Sequence, residues 1–365
     1  MKTLFVQSLA VLMEPTRRRF HHAQDLLDVA STAVERACAA AGAGASLEGA
    51  SGVTAGLHWR RGAGSPYVRF GGQFTQQHPF RETFDVTVTT SRHRVLCQAQ
   101  PRSRPGDPRA CRAAAALASS VEAALAPEGW RLLRQAAAAA MGVADGFTAA
   151  LAYQHPADGT RVVPWRLAGR VTGSGLQIRA ETHVDSEDLT GGFVRDMALD
   201  RRGRLVVTCR HAVVQPGGSG LGVAYQRHLF DRLSGFGADR VELTAARMGS
   251  YAWARAGFAF SNPAAVAAHL EARVAGTTTH LPARVAPGVD ARLQDPQGVL
   301  HLAELLRSDR PPGAAEVAGF GADQRDDAGV HDGMRLLLGF SWRGERQLQP
   351  TAGPLVVDQP GGVAA

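Results

Sequence analysis

The residues with most to offer chemically lie in one short span past the middle of the chain. Gln215 to Gly222 reads QPGGSGLG and follows directly on the β-rich run RLVVTCRHAVV, Arg204 to Val214. Glycines in such a place let successive backbone N–H groups converge on one concavity at the positive end of a helix, which suits a phosphate or diphosphate that side chains would obstruct. His211, inside the β-rich run, carries an imidazole whose ordinary pKa suits a proton acceptor near neutral pH. Glu181, Asp185 and Glu187 are rivals for that role. Tyr251 is the candidate proton donor downstream. Each feature also has a purely structural reading: a Gly-rich turn, an edge-strand histidine, a tyrosine packed on a sheet.

Elements of definite kinds must position these groups. After the glycines, Val223 to Phe236 sets Tyr225, Leu229, Phe230, Leu233 and Phe236 on one helical stripe ended by Gly235 and Gly237. VELT, Val241 to Thr244, reads as a strand, Ala246 to Ala256 as a short helix, and Phe258 to Phe260 as another strand. The order is therefore strand, glycine loop, helix, strand, helix, strand. Upstream, strands are expected around Phe147 to Tyr153, Gly159 to Leu167 and Leu176 to Thr182. Downstream, Arg307 to Asp327 reads as a flexible loop, and Gly333 to Leu348 as a helix followed by a strand or turn with Leu336, Leu337 and Trp342 as core.

With 14 residues between Gly222 and Gly237, then GADRVEL and GSYAWARAGF, the span Arg204 to Phe260 resembles motifs A and B of the GNAT superfamily of N-acyltransferases; the likeness extends loosely over Phe147 to Arg346. The resemblance implies a mixed sheet flanked by helices in which one strand splays from its neighbour. It also implies acetyl-CoA or another acyl-CoA as co-substrate and direct transfer of the acyl group to an amine. Gly220, Leu221 and Gly222 match the family's G-x-G, whose amides hold the diphosphate, with Gly218, Ser219 and Val223 beside them. Val213 and Val214 match the strand that pairs with the pantetheine arm, and Gly257 and Phe258 match its Gly-Phe. Three departures stand out. Gly217 occupies the usual Arg or Gln position, so Gln215 serves only if Gly218 and Gly220 become the pair; the loop is about two residues short; and Trp253 stands where the family has a tyrosine that protonates the thiolate. Two alternatives follow: a catalytically inactive binding or regulatory module on the same fold, and an NAD(P)-binding Rossmann-type unit in which Gly218, Gly220 and Glu242 play the fingerprint.

The first half carries no comparable signal. Gln24 to Ala41 places Leu26, Leu27, Val29, Ala30, Ala33, Val34 and Ala37 at helical spacing, and the alternating runs from Thr54 to Gln98 predict an antiparallel sheet. Pro101 to Pro108 breaks the chain before helices at Arg112 to Ala126 and Trp130 to Met141. The expected organisation is an α+β domain over 1–145, a GNAT-like domain over 146–346 and a flexible tail over 347–365. His21, His22, His58, His78 and His93 are too scattered to make a site, and the start, Met1 to Met13, reads as a strand or helix rather than a signal peptide.

Composition removes whole classes. Lys2 is the only lysine, so a Walker A loop, a kinase phosphate lysine and a pyridoxal Schiff base each lack the amine they require. The net charge of +7 is carried by arginines spread along the chain, with Arg17 to Arg19 the one tight run and no basic cluster interleaved with aromatics, so no nucleic-acid partner is expected. Cys38, Cys97, Cys111 and Cys209 have no metal spacing and are expected as buried thiols. No apolar stretch is long enough for a bilayer, and a cytoplasmic protein is expected.

Overall fold

The computed structural model describes residues 2–41, 45–46, 53–61, 66–76, 82–91, 94–172, 175–215, 220–246, 249–276, 292–326 and 329–348. Its first element, α1 (Lys2–Ala41), runs back from the expected helix to Lys2. Phe20, Ala23, Leu27, Ala30, Val34 and Ala37 are buried at alternating steps of three and four, one face of a helix. Val29 faces solvent, two residues and about 200° round from Leu27. A two-residue strand that was not expected, β1 (Ala45–Ser46), joins β2 (Thr54–Arg60), β3 (Tyr67–Gln76), β4 (Glu82–Thr90) and β5 (Val95–Pro101), which form the expected antiparallel array. In β4 alternate residues are buried, so Phe84, Val86 and Val88 face the helices.

Two helices close this half. α2 (Pro108–Leu125) starts where Asp107 accepts a hydrogen bond from the Arg109 N–H at 2.8 Å, with Pro108 in the first turn. α3 (Glu128–Leu151) is longer than expected. Phe147, Ala150 and Leu151 continue the buried stripe of Ala140, Met141, Val143 and Ala144, so the strand expected at Phe147 to Tyr153 is helix up to Leu151, and only β6 (Tyr153–Gln154) is extended.

Next come β7 (Arg161–Thr172), β8 (Gly175–Asp185), β9 (Thr190–Leu199) and β10 (Leu205–Gln215), an antiparallel succession. β9 is a strand that sequence reading missed: GGFVRDMAL opens on two glycines and sets Arg195 on the face it shares with Phe193 and Met197, which hides the alternation. α4 (Leu221–Phe236), β11 (Arg240–Ala245), α5 (Gly249–Arg255) and β12 (Ala259–Phe260) follow the expected order. α6 (Pro263–Val274), α7 (Pro296–Leu305) and α8 (Ala314–Gly319) are additional. α8 lies inside Arg307 to Asp327, where a flexible loop was expected; Ala314, Val317 and Ala318 are buried, and that apolar contact orders the segment. α9 (Asp332–Leu337) and β13 (Trp342–Gln347) complete the chain as expected, with Leu336, Leu337 and Trp342 in the core. Of the flexible tail expected over 347–365, Gln347 instead ends β13 and Leu348 packs on the core with its N–H bonded to the Asp239 carbonyl oxygen at 2.9 Å, while 349–365 lie outside the described residues.

The strands join in one 13-stranded sheet, ordered β12-β13-β11-β10-β9-β8-β7-β2-β3-β4-β5, with β1 on β3 and β6 on β7. The architecture is α+β, and β10 with β11 is the one parallel pair among the described strands. α3 runs unbroken through residue 145, and β2 hydrogen-bonds to β7 from Gly56↔Arg170 to Arg60↔Arg166, so sheet and apolar core pass through the expected domain boundary. One face of the sheet carries α1 to α4. On the other, Arg69, Arg166, Arg179, Arg210 and Arg343 are exposed, so no described helix lies over it. Among the cysteines, Cys38 and Cys209 are buried, Cys97 is half-buried and Cys111 is exposed, correcting the expectation for Cys111. Burial pushes the Cys38 thiol up to about 12 and the Cys97 thiol to about 11, so neither is a ready thiolate. Among the described residues, no helix is long and apolar enough to cross a membrane.

β9 approaches its neighbours most closely at its start. A Cβ on Gly191, where φ is +149°, would collide with the Val213 carbonyl oxygen, and one on Gly192 would collide with that of Thr182. Gly191→Ala is expected to destabilise the protein by about 1–3 kcal/mol in urea titration. A change under about 0.5 kcal/mol would show that β9 and β10 can part there without loss.

Candidate functional site

β10 is the element that builds the site. Val206 to Cys209 pair in parallel with Arg240 to Leu243 of β11, and there the pairing ends. β10 continues to Gln215 on β9 alone, while Thr244 and Ala245 of β11 keep only β13. The register against β9 slips between Cys209 and His211, so Arg210 is the extra residue of a bulge, which bends a strand and increases its twist. Alternate backbone N–H and C=O groups from Arg210 to Gln215 therefore turn toward the side that β11 has left.

The helix α4 begins beside that end of β10. Its N-cap, Gly220, sits at φ +76°, a left-handed conformation that costs other residues about 1–2 kcal/mol, and a Cβ there would meet nothing within 4 Å. Gly220 is exposed, as is Val223; Gly222 is half-buried and Leu221 is buried. The first-turn N–H groups of α4 thus begin at an open surface with the positive end of the helix behind them. Gly218 and Ser219 lie outside the described residues, as does Gly217. Val213, Val214 and Gln215 are on the free length of β10, with Val214 packed against the small apolar cluster that includes Phe193, Leu221 and Tyr225.

His211 pairs in register with Val194, two residues from Asp196 on β9, so its ring stands on the face away from α4, exposed. Asp196 anchors that face: 2% exposed, it accepts from Arg179 Nε at 2.7 Å and Arg210 Nε at 2.8 Å. Burial alone would raise its carboxyl; the two guanidinium groups outweigh burial and hold it below the usual range. The rivals are separated. Glu181 lies 3.7 Å from Arg166, Asp185 pairs with Arg161 at 2.6 Å, and Glu187 is exposed beyond the end of β8.

Tyr251 is half-buried on α5, with its hydroxyl 3.2 Å from Nε2 of His331. Nδ1 of His331 is 2.9 Å from the Phe320 carbonyl oxygen, which can only accept, so Nδ1 carries the proton and in the neutral ring Nε2 accepts from the Tyr251 O–H. Trp253 packs edge-to-face on Phe258, with centroids 5.3 Å apart. Glu242, the acidic residue of the dinucleotide alternative, is engaged by Arg240 Nε at 2.7 Å.

Two participants escaped sequence reading. His331 is 80 residues from Tyr251, and no local pattern links them. Arg195 did leave a trace, an arginine at an apolar position of the period-2 run Phe193, Arg195, Met197. It is 1% exposed under α4, with its guanidinium carbon 4.9 Å from the Phe193 ring and 5.0 Å from the Tyr225 ring. Nη1 donates to the Tyr225 hydroxyl at 3.3 Å, which in turn donates to the Leu151 carbonyl oxygen at 3.0 Å; Nε and Nη2 have no partner. Burial raises the neighbouring Cys209 thiol, and the nearby charge of Arg195 pulls it down only in part. A cation lies buried against aromatic rings at the point where β10 leaves β11.

Comparison with protein-family models, with curated proteins and with solved structures finds no match to this chain.

Two variants test the electrostatics. Asp196 titrates lower in the folded than in the unfolded chain, so its contribution is full above the ordinary carboxyl range near pH 4 and is lost as pH falls through the folded value. Asp196→Asn is expected to cost about 1–2 kcal/mol at pH 7, modest because both arginines are half exposed, and the gap to wild type should close in acid. A gap that stays constant with pH would refute the charge argument. Arg195→Met, which removes a charge with no carboxylate partner among the described residues, is expected to leave Tm unchanged or raise it. A fall of more than about 5 °C would show that ring and hydroxyl contacts outweigh desolvation.

Proposed function

We propose that this chain binds an acyl-CoA, in the manner of a GNAT-like N-acyltransferase, and transfers the acyl group, acetyl in the simplest case, to an amine. The observation that carries this reading is the parting of β10 from β11 after Cys209 and Leu243, next to the first turn of α4. The free side of Arg210 to Gln215 offers backbone groups to the amides of an extended pantetheine arm, and the amides of Gly220, Leu221 and Gly222 suit the diphosphate, whereas that of Val223, expected among them, already donates to the Gly220 carbonyl oxygen at 3.1 Å.

In this reading the amine lone pair attacks the thioester carbonyl carbon from the exposed sheet face. The oxyanion that forms is held by a β10 backbone N–H. Collapse breaks the C–S bond and releases the CoA thiolate, and the ammonium proton passes to His211. Trp253 has no proton to give the thiolate, and the Tyr251 hydroxyl is directed at His331. Those two facts favour a second reading, a module that binds acyl-CoA without turnover.

Calorimetric titration with acetyl-CoA, followed by a thiol-release assay over a panel of amines, separates the readings. Binding with CoA release is expected, and binding without release on any amine would retire the transferase. Gly220→Asp should abolish binding, since its charge and side chain meet the diphosphate at an open position. His211→Gln should lower kcat by about a hundredfold with the acyl-CoA Kd unchanged. An unchanged kcat removes His211 from the mechanism, and selective thermal stabilisation by NAD(P) rather than acetyl-CoA overturns the whole reading.

A further inference from the structure

The pairing of β2 with β3 on one side and β7 on the other gathers arginines that are scattered in sequence. Arg60 and Arg166 stand directly opposite each other, and Arg69 and Arg170 flank Gly56 from its two sides. Like charges facing each other across strands are destabilising, so this arrangement lacks a structural motive of its own. Arg69 is held by the Thr87 hydroxyl at 3.0 Å and Arg170 by the Gln177 carbonyl oxygen at 3.0 Å. Neither they nor Arg60 has a carboxylate partner among the described residues; Arg166 has only Glu181, at 3.7 Å.

Flat rings lie between these cations. Trp165 and Tyr67 are each 38% exposed, large for aromatic side chains on a sheet. The Arg60 guanidinium carbon lies 5.0 Å from the Trp165 ring centroid, and Tyr67 stacks on His58 with centroids 5.3 Å apart. Burial, and then the charges of Arg69 and Arg166, hold the His58 imidazole below its usual pKa, which marks the positive potential of the patch. Gly56 and Ala168 keep the floor between the arginines low. The three strands and the run from Trp165 to Arg170 cover roughly 10 by 16 Å, enough for a few nucleotides.

We propose that this exposed sheet face binds single-stranded nucleic acid, with bases stacked on Trp165 and Tyr67 and phosphates on Arg60, Arg69, Arg166 and Arg170. Permanently charged guanidinium groups, three of the four without a carboxylate partner among the described residues, complement phosphates, and the exposed parts of the two rings complement bases. An acidic peptide would use the charges and leave the rings without a role. The site lies three strands from the free length of β10 and does not depend on acyl-CoA.

The test uses the full chain and a fluorescein-labelled 12-residue oligothymidylate, followed by anisotropy from 50 to 200 mM NaCl. Binding should weaken with salt at a log–log slope of about −2 to −3, as expected for three or four phosphate contacts on a single strand. The pair Arg69→Gln and Arg170→Gln should weaken binding at least tenfold and flatten the slope. Trp165→Leu should weaken binding without changing the slope, and Arg310→Gln, an exposed arginine off the sheet, should change neither. Circular dichroism melts establish that each variant is folded. Absence of binding at 50 mM NaCl, binding indifferent to the folded variants, or equal displacement by polyglutamate of matched charge would each overturn the proposal.

Discussion

A strand can hydrogen-bond to its parallel neighbour only while the two stay about 4.8 Å apart, and the candidate site depends on where β10 and β11 stop doing so. Four residue pairs, Val206↔Arg240 to Cys209↔Leu243, hold them together. The bulge at Arg210 then turns β10 while β9 stays with it to Gln215. Backbone groups that lose a strand partner must find another or stay in contact with water. The glycines of β9 allow this geometry by letting β8 and β10 press against it, and the buried Asp196 ties Arg179 of β8 to Arg210 at the bulge. The parting is thus braced from the side that remains paired.

What the sequence made legible follows from the range of the interactions involved. The order from Leu205 to Phe260 could be read because each step has a local signal: β-branched residues in β10, glycines ending α4, an apolar stripe at Tyr225, Leu229 and Leu233. α8 was hidden because six residues cannot show a helical period, and only the burial of Val317 and Ala318 orders them. β9 was hidden because its core face includes a cation. The Tyr251–His331 contact and the grouping of Arg60 with Arg166 arise from long-range pairing, which no spacing encodes. Spacing along the chain therefore proved a poor guide to charge, since dispersed arginines became neighbours.

The sheet separates two kinds of surface. On the helix-bearing side, Phe20 of α1, Phe147 of α3, Leu233 of α4 and Trp342 of β13 belong to one apolar cluster, so residues from both halves of the chain share the stabilising burial. On the other side, charge and aromatic surface remain exposed with no described helix over them. The division lets one strand contribute to both, as β10 does with Cys209 inward and Arg210 and His211 outward.

An exposed outer edge of a sheet is an invitation to any other polypeptide, and this protein gives little of one away: β12 is only two residues long, and β5 lies under α2. The free flank of β10 is different because it lies inside the sheet, with β9 paired on one side and β11 diverging on the other. The slender, unbranched pantetheine arm proposed above would need less room between diverging strands than a strand bearing side chains, so in that reading the parting itself favours the thinner guest.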